Sequence, residues 1–419
     1  MRAAWARPAV SCGPVRRARL LTAAALAVVL IACSDGDGAA PSTAITPPPS
    51  TGAPAGTDTV TSDVTTSTAA PATTESTRTP VTPVTEPPVV AVGYPSQPAG
   101  VAFPGAEWPT APLPAGVAQA AVDAAVDAAM GPPDASSGVR SVVVVHGGAI
   151  VYERYHPSVG PDTVMASYSV AKSFTSGLVG LLVDDGLLTL DEHPPRPEWP
   201  PGDPRAAITL RQLLQMSSGL QWDEAQSLMT LGPTMLASPS AAAIMASQPL
   251  EREPGTAFEY STGTSALVAG IAADALGGCA ALDAYVHERL LAPIGITSAT
   301  LVEDGGGCFV GGLGIDMTAR DFARFGLVYV RGGVWDGRAL VPASWVDETR
   351  AASATNPRYG LHWWLGPTGQ ELAAVGLGGQ QIAVFPGSDL VVVVNSTLGT
   401  DGPAGTLVSQ VAGAFGAAS

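Results

Sequence analysis

Lysine is almost missing from this sequence. Of its 20 basic residues only Lys172 is a lysine, and the rest are arginines. Basic charge is scarce altogether. Setting aside Arg2, Arg7, Arg16, Arg17 and Arg19, which precede residue 33, leaves 15 basic residues against 36 acidic ones. Such a surface repels phosphate backbones, which excludes a nucleic-acid partner. Metal-ligand spacing is missing too. His146, His156, His193, His287 and His362 are scattered, each reads most simply as a surface or turn residue, and no metal is expected. The DGDG run after Cys33 is too short for a calcium loop. An apolar run long enough to span a bilayer is also missing at the N-terminus, where Leu20–Ala32 offers 13 residues.

That short run, preceded by arginines and followed by the polar Ser34, has the charged and apolar regions of a signal peptide. Its end, LIAC, resembles a bacterial lipobox, which would make Cys33 the lipidated N-terminus of an extracytoplasmic, membrane-anchored protein; plain secretion is the alternative. From Ser34 to Pro98 the chain is rich in Thr, Pro and Ser, with no periodic apolar face. Too few large side chains are present to offset ordering entropy, so a disordered tether is expected. About 60 flexible residues would reach roughly 45 Å. The expected organisation is therefore a lipoprotein signal peptide over 1–33, a linker over 34–98 and a folded domain over 99–419.

Within the folded part, the apolar spacing of residues 117–130 predicts a helix. Two β-rich runs, 139–146 and 150–155, flank Gly147-Gly148-Ala149 and predict a hairpin. Mostly helical pattern fills 164–300. A helix over 318–330 then precedes β-like runs at 359–365, 371–375, 381–385 and 390–395, and residues 405–417 predict a last helix. Strands at both ends with helices between them predict an α/β (α+β) domain: one antiparallel sheet built from both termini, flanked by helices, with an inserted helical lobe.

Lys172 lies in VAKSFTSGLVGLLVDD, an apolar stretch expected to form a buried helix, three residues after Ser169. One turn puts the two side chains on the same face. Burial disfavours the charged ammonium, and a lysine, unlike an arginine, can then lose its proton. A lone lysine where arginine supplies every other cation suits a nucleophilic serine activated by an amine. Backbone amides at the helix start could hold an oxyanion.

Ser169-Val170-Ala171-Lys172 resembles the Ser-x-x-Lys motif of the penicillin-recognising serine hydrolases. These include class C β-lactamases, D-alanyl-D-alanine peptidases, related esterases and 6-aminohexanoate-dimer hydrolases. The likeness runs from about Val139 to Leu398 and takes in ITLRQLLQMSSGL, PGTAFEYSTGTSALVAGI and TARDFARFGLVYVRGGVWDGRALVPASWV. It is nearest to the 6-aminohexanoate-dimer hydrolase-like and esterase-like branch, and implies a β-lactamase/transpeptidase-like fold. It also implies a serine hydrolase acting through an acyl-enzyme on small ester, amide or envelope-derived substrates, with no cofactor.

The resemblance assigns roles residue by residue. Ser169 would be the nucleophile, Lys172 its base, and Tyr260 of Tyr260-Ser261-Thr262 a proton relay. The oxyanion would rest on the backbone N–H groups of Ser169 and Gln380. The third motif of the family falls on Leu377-Gly378-Gly379, expected on a strand beside the serine, where the glycines fit either close substrate approach or a plain turn. Two positions depart from the family. Thr262 replaces the asparagine that orients a substrate amide, and Leu377 replaces a cation or histidine that meets a substrate carboxylate. Both favour neutral esters or amides over penicillins and D-alanyl peptides. A β-lactamase, a D-alanyl-D-alanine peptidase and a catalytically weak envelope-binding module remain the alternatives. Trp222 and the pair Trp363-Trp364 fit either a pocket wall or core packing, and His362 is a candidate for the pocket lining. Cys279 and Cys308 are either a disulfide, which an exported setting permits, or two separate thiols.

Overall fold

The computed structural model describes residues 93–397, 399 and 401–417. The signal-like segment, Cys33 and most of the linker lie outside the described residues. The folded part extends back past residue 99: Tyr94 is packed down, donating from its hydroxyl to Asp347 (2.8 Å), and Gln97 accepts from Arg331 (3.0 Å).

Six strands make the main sheet: β1 (Val139–His146), β2 (Ala149–Tyr155), β3 (Trp364–Leu365), β4 (Leu372–Gly376), β5 (Gln380–Phe385) and β6 (Leu390–Ser396). Their order is β2-β1-β6-β5-β4-β3 and every pairing is antiparallel. The first strand of the domain thus lies beside the last. The β1–β2 connection is two residues, since His146 pairs with Ala149. Gly147 and Gly148 both take positive φ, as the tight hairpin turn that matches strand twist requires.

The unbroken valine runs of β1 and β6 follow from burial on both faces, where the usual alternation with polar residues has no purpose. Val143, Val145, Val391 and Val393 point into the larger core. Val142, Val144, Val392 and Val394 point to the opposite face, which is covered by α1 (Gln119–Met130) and a C-terminal helix, Asp401–Ala414. The larger core holds α2 (Ala171–Asp184), α3 (Glu224–Ala237), α4 (Thr262–Leu276) and α5 (Ala319–Val330). Phe174 of α2 stacks on Phe325 of α5 with centroids 3.7 Å apart. The inserted helices share this one apolar cluster with the sheet rather than forming a core of their own.

One predicted strand is largely lost. Of the run 359–365 only Trp364 and Leu365 join the sheet. His362 takes φ +58°, a left-handed conformation that no strand contains. Gly360 passes so close to Thr349 that a Cβ would fall 1.9 Å from its carbonyl oxygen.

Candidate active site

A short 3-10 turn, Tyr168–Val170, leads into α2. Tyr168 has φ +47°, strained for a residue with a Cβ by on the order of 1–2 kcal/mol, so the chain turns sharply just before Ser169. Ser169 is half-buried at the mouth of the helix, and Lys172, one turn further in, is 1% exposed. Lys172 Nζ lies 2.9 Å from Ser169 Oγ, donates to Thr262 Oγ1 at 2.9 Å and donates to the Gly312 carbonyl at 3.2 Å. Burial pulls the ammonium down to about 8, against the opposing pull of the Glu224 carboxylate. An amine with that affinity is free base for part of the time at neutral pH.

Tyr260-Ser261-Thr262 stands at the start of α4. Ser261 caps the helix, its hydroxyl accepting from Thr264 N–H at 2.9 Å, which fixes the residues on either side. Lys172 Nζ sits 4.8 Å from the centre of the Tyr260 ring, and that ring stacks on Trp364 (5.6 Å). Tyr359 meets both rings edge-on. Glu224, the first residue of α3, faces the same point. Its Oε1 accepts from the Thr262 hydroxyl (2.5 Å), and its Oε2 accepts from Thr262 N–H (2.8 Å) and the Trp222 indole N–H (2.6 Å). A carboxylate at a helix N-terminus also complements the helix dipole.

The third element is the β4–β5 hairpin. Leu377-Gly378-Gly379 is its turn rather than part of a strand, and φ of +79° and +89° at the two glycines calls for residues without a Cβ. Gly376, closing the turn, lies against the Ser169 segment: a Cβ there would fall 2.3 Å from Ser167 O and 3.2 Å from Val170 N. Gln380 spends its side chain on β6, donating to Ser396 O and accepting from Ser396 N–H and Asn395 Nδ2. The Ser396 hydroxyl donates in turn to Gly378 O. Beside this hairpin an open groove of about 540 Å³, bordered by Val164, Met165, Tyr168, Gln380 and Thr397, has no charged side chain among its described lining.

The histidine expectations are corrected, and the alternatives left open for the tryptophans and cysteines are decided. His362 does not line a pocket, and neither it nor His156 is a surface residue: they are 2% and 3% exposed. His362 Nδ1 faces the Leu214 carbonyl (2.8 Å), so it carries the proton, and Nε2 accepts from Ser265 (2.8 Å). Burial pushes this imidazole down to about 3, and it stays neutral. Its carbonyl accepts from Ser173, the residue after Lys172, so His362 ties α2 and α4 together behind the site. Trp222 packs in the core at 4% exposure. The two adjacent tryptophans divide, as neighbours along extended chain do: Trp363 is fully buried against Tyr329, while Trp364 backs Tyr260. Cys279 and Cys308 are joined as a disulfide.

Two residues beside Lys172 were missed from the sequence. Gly312 approaches so closely that a Cβ would sit 3.4 Å from Nζ and 2.8 Å from Ser265 Cβ. Glu224 follows Asp223, which caps α3 by accepting from Gln226 N–H. The pair Asp-Glu signals a helix start, but nothing in it points to a residue 38 positions away.

Residues 122–412 match the family model described as Beta-lactamase. A 6-aminohexanoate-dimer hydrolase of Paenarthrobacter ureafaciens is 26% identical over 283 residues, which cover 60% of this chain and 70% of that protein. Among solved structures, EstCE1, a hydrolase with promiscuous acyltransferase activity, superposes with a TM-score of 0.58 at 17% identity, covering 71% of this chain and 97% of its own. The octameric penicillin-binding protein homologue from Pyrococcus abyssi gives 0.57 at 18% identity, covering 71% and 77%. At these identities the structural likeness speaks for the fold.

Proposed function

The chain belongs to the Beta-lactamase family, and from that premise we propose that it is a serine hydrolase opening ester or amide bonds through an acyl-enzyme on Ser169. Neutral Lys172 takes the Ser169 hydroxyl proton as the oxygen attacks the carbonyl carbon. The C=O electron pair moves onto the carbonyl oxygen, held by the backbone N–H groups of Ser169 and Gln380. Collapse of this intermediate expels the alcohol or amine, which receives its proton through Lys172 and Tyr260, and leaves the acyl group on Ser169. Water then attacks the acyl carbon, giving a proton to the same pair, which passes it to Ser169 Oγ as the acyl–oxygen bond breaks and the carboxylic acid leaves.

The observation that carries the reading is the buried amine 2.9 Å from Ser169 Oγ. Leu377, which carries no charge to meet a substrate carboxylate, supports neutral acyl substrates. The Paenarthrobacter relative is a 6-aminohexanoate-dimer hydrolase, which places that dimer in the test panel beside simple esters. We place the domain outside the cytoplasm, anchored through a lipid on Cys33. The Cys279–Cys308 bond supports an oxidising compartment.

The test is release of p-nitrophenol from the butyrate ester with mass spectrometry of the protein. A butyryl adduct on Ser169, and loss of turnover in Ser169→Ala, is the expected result; full turnover in that variant would sink the nucleophile. Leu377 also favours a second reading, a weak penicillin-binding-like module. Retention of benzylpenicillin on Ser169 without ester turnover would select it.

A further inference from the structure

Both oxygens of the half-buried Glu224 are committed to groups beside Lys172. We propose that Glu224 is a positioning residue, which by fixing the direction of the Thr262 hydroxyl aims the free electron pair of neutral Lys172 at Ser169. This deepens the acyl-enzyme reading and rests on it.

The argument is one of donors and acceptors. A carboxylate only accepts, so Glu224 Oε1 claims the Thr262 hydroxyl hydrogen. The Thr262 oxygen is then left to accept, and it accepts from Lys172. The Gly312 carbonyl, also acceptor-only, takes a second N–H. A neutral amine has two N–H bonds and one electron pair. With both N–H bonds assigned, the pair points along the remaining contact, to Ser169 Oγ at 2.9 Å. After proton transfer the same three contacts suit an ammonium with three N–H bonds, so nothing has to turn during the step. Preorganisation of this kind acts on the chemical step rather than on substrate binding.

Glutamine at 224 would invert the arrangement. Oε2 of Glu224 accepts from two N–H groups, Thr262 N and Trp222 Nε1, so a glutamine in this pose must put its oxygen there. Its amide nitrogen then faces Thr262 Oγ1 as a donor. The hydroxyl hydrogen swings toward Lys172 and competes with Ser169 for the electron pair. Loss of the negative charge also removes an influence that holds Lys172 protonated. Among the other ionisable groups, Tyr260 lies against Lys172 and His362 feels its charge, while Tyr359, held up first by burial and then by Tyr260, loses only the smaller upward push of the Glu224 carboxylate.

The experiment measures hydrolysis of p-nitrophenyl butyrate by the full chain across pH 6–10 in Glu224→Gln, Thr262→Val, Thr262→Ser and Ser169→Ala. Expected for Glu224→Gln is a plateau kcat lower by on the order of 100-fold, KM within about threefold, and the acid limb of the pH profile moved to lower pH. Thr262→Val is expected to lose a similar factor and Thr262→Ser to recover most of it. A role confined to capping the helix would lower the melting temperature and leave the acid limb in place. Wild-type plateau and midpoint in folded Glu224→Gln, with Ser169→Ala inactive, overturns the role of Glu224 alone. An active Ser169→Ala overturns the acyl-enzyme reading beneath it. Should Glu224→Gln fail to fold, equal activity in Thr262→Val and Thr262→Ser overturns the proposal.

Discussion

Lys172 Nζ and Ser169 Oγ stand 2.9 Å apart at the closed end of a site where the amine is 1% exposed and the serine is reached from outside. In the proposed mechanism the amine that accepts the proton is the deeper partner, and its depth weakens its hold on a proton. Lys172→Arg keeps the cation but cannot give up its proton, so turnover should fall by on the order of 1000-fold, as for Lys172→Ala. Equal turnover in Lys172→Arg and the wild type would remove Lys172 as the base.

The pH profile follows from the same burial. Lys172 is brought down to about 8, and only its neutral form accepts a proton. Ester kcat/KM should therefore rise about tenfold per pH unit below 8 and level off above it. Stability moves the same way. The folded state binds this proton more weakly than the unfolded state, whose value is near 10.5, so the group's contribution grows more favourable from pH 8 to 10.5. Lys172→Met should be inactive yet melt no lower than wild type at pH 6. Thermal scans at pH 6 and 9.5 measure this.

Gly376 sits where no Cβ fits, 2.3 Å from Ser167 O. Gly376→Ala should push the hairpin away from the Ser169 segment. The expected loss is about 1–3 kcal/mol of stability and a kcat lower by at least about tenfold. Denaturant melts and ester kinetics on one preparation test both.

Leu377 offers no charge to a substrate. Leu377→Lys should improve kcat/KM for a carboxylate-bearing substrate such as nitrocefin by on the order of tenfold, with little gain for a neutral ester. An equal change for both would show that position 377 does not read substrate charge.

The Cys279–Cys308 bridge, with a sequence separation of 29, closes a loop worth about 3–4 kcal/mol in the chain-entropy treatment. The double variant Cys279→Ser, Cys308→Ser should lose stability of that order and keep its activity, and a lower melting temperature under reducing conditions checks it.

Elements with a strong local signal were legible in the sequence. The Gly147-Gly148 hairpin, the apolar spacing of α1 and the Ser169–Lys172 turn all depend on residues within a few positions of one another. What escaped depends on residues that meet only in the fold. Glu224 joins Thr262 across 38 positions and Gly312 joins Lys172 across 140. His362 reads as a pocket residue because its strand-like run lies near the third motif, but its left-handed φ takes it out of a strand and it faces Leu214 and Ser265. Leu377-Gly378-Gly379 was expected on a strand, yet the positive φ of its glycines makes it the turn between two.

The pairing of β1 with β6 sets an order of events. Ser141 donates to Asn395 across 254 residues, so the first strand made has no inner neighbour until the last is complete. Ser169 and Lys172 can meet as soon as α2 forms. The turn that stands beside them is held by Ser396, among the final residues of the sheet. In a nascent chain Ser169 and Lys172 can therefore meet long before the turn beside them is held, which waits for the strand that carries Ser396.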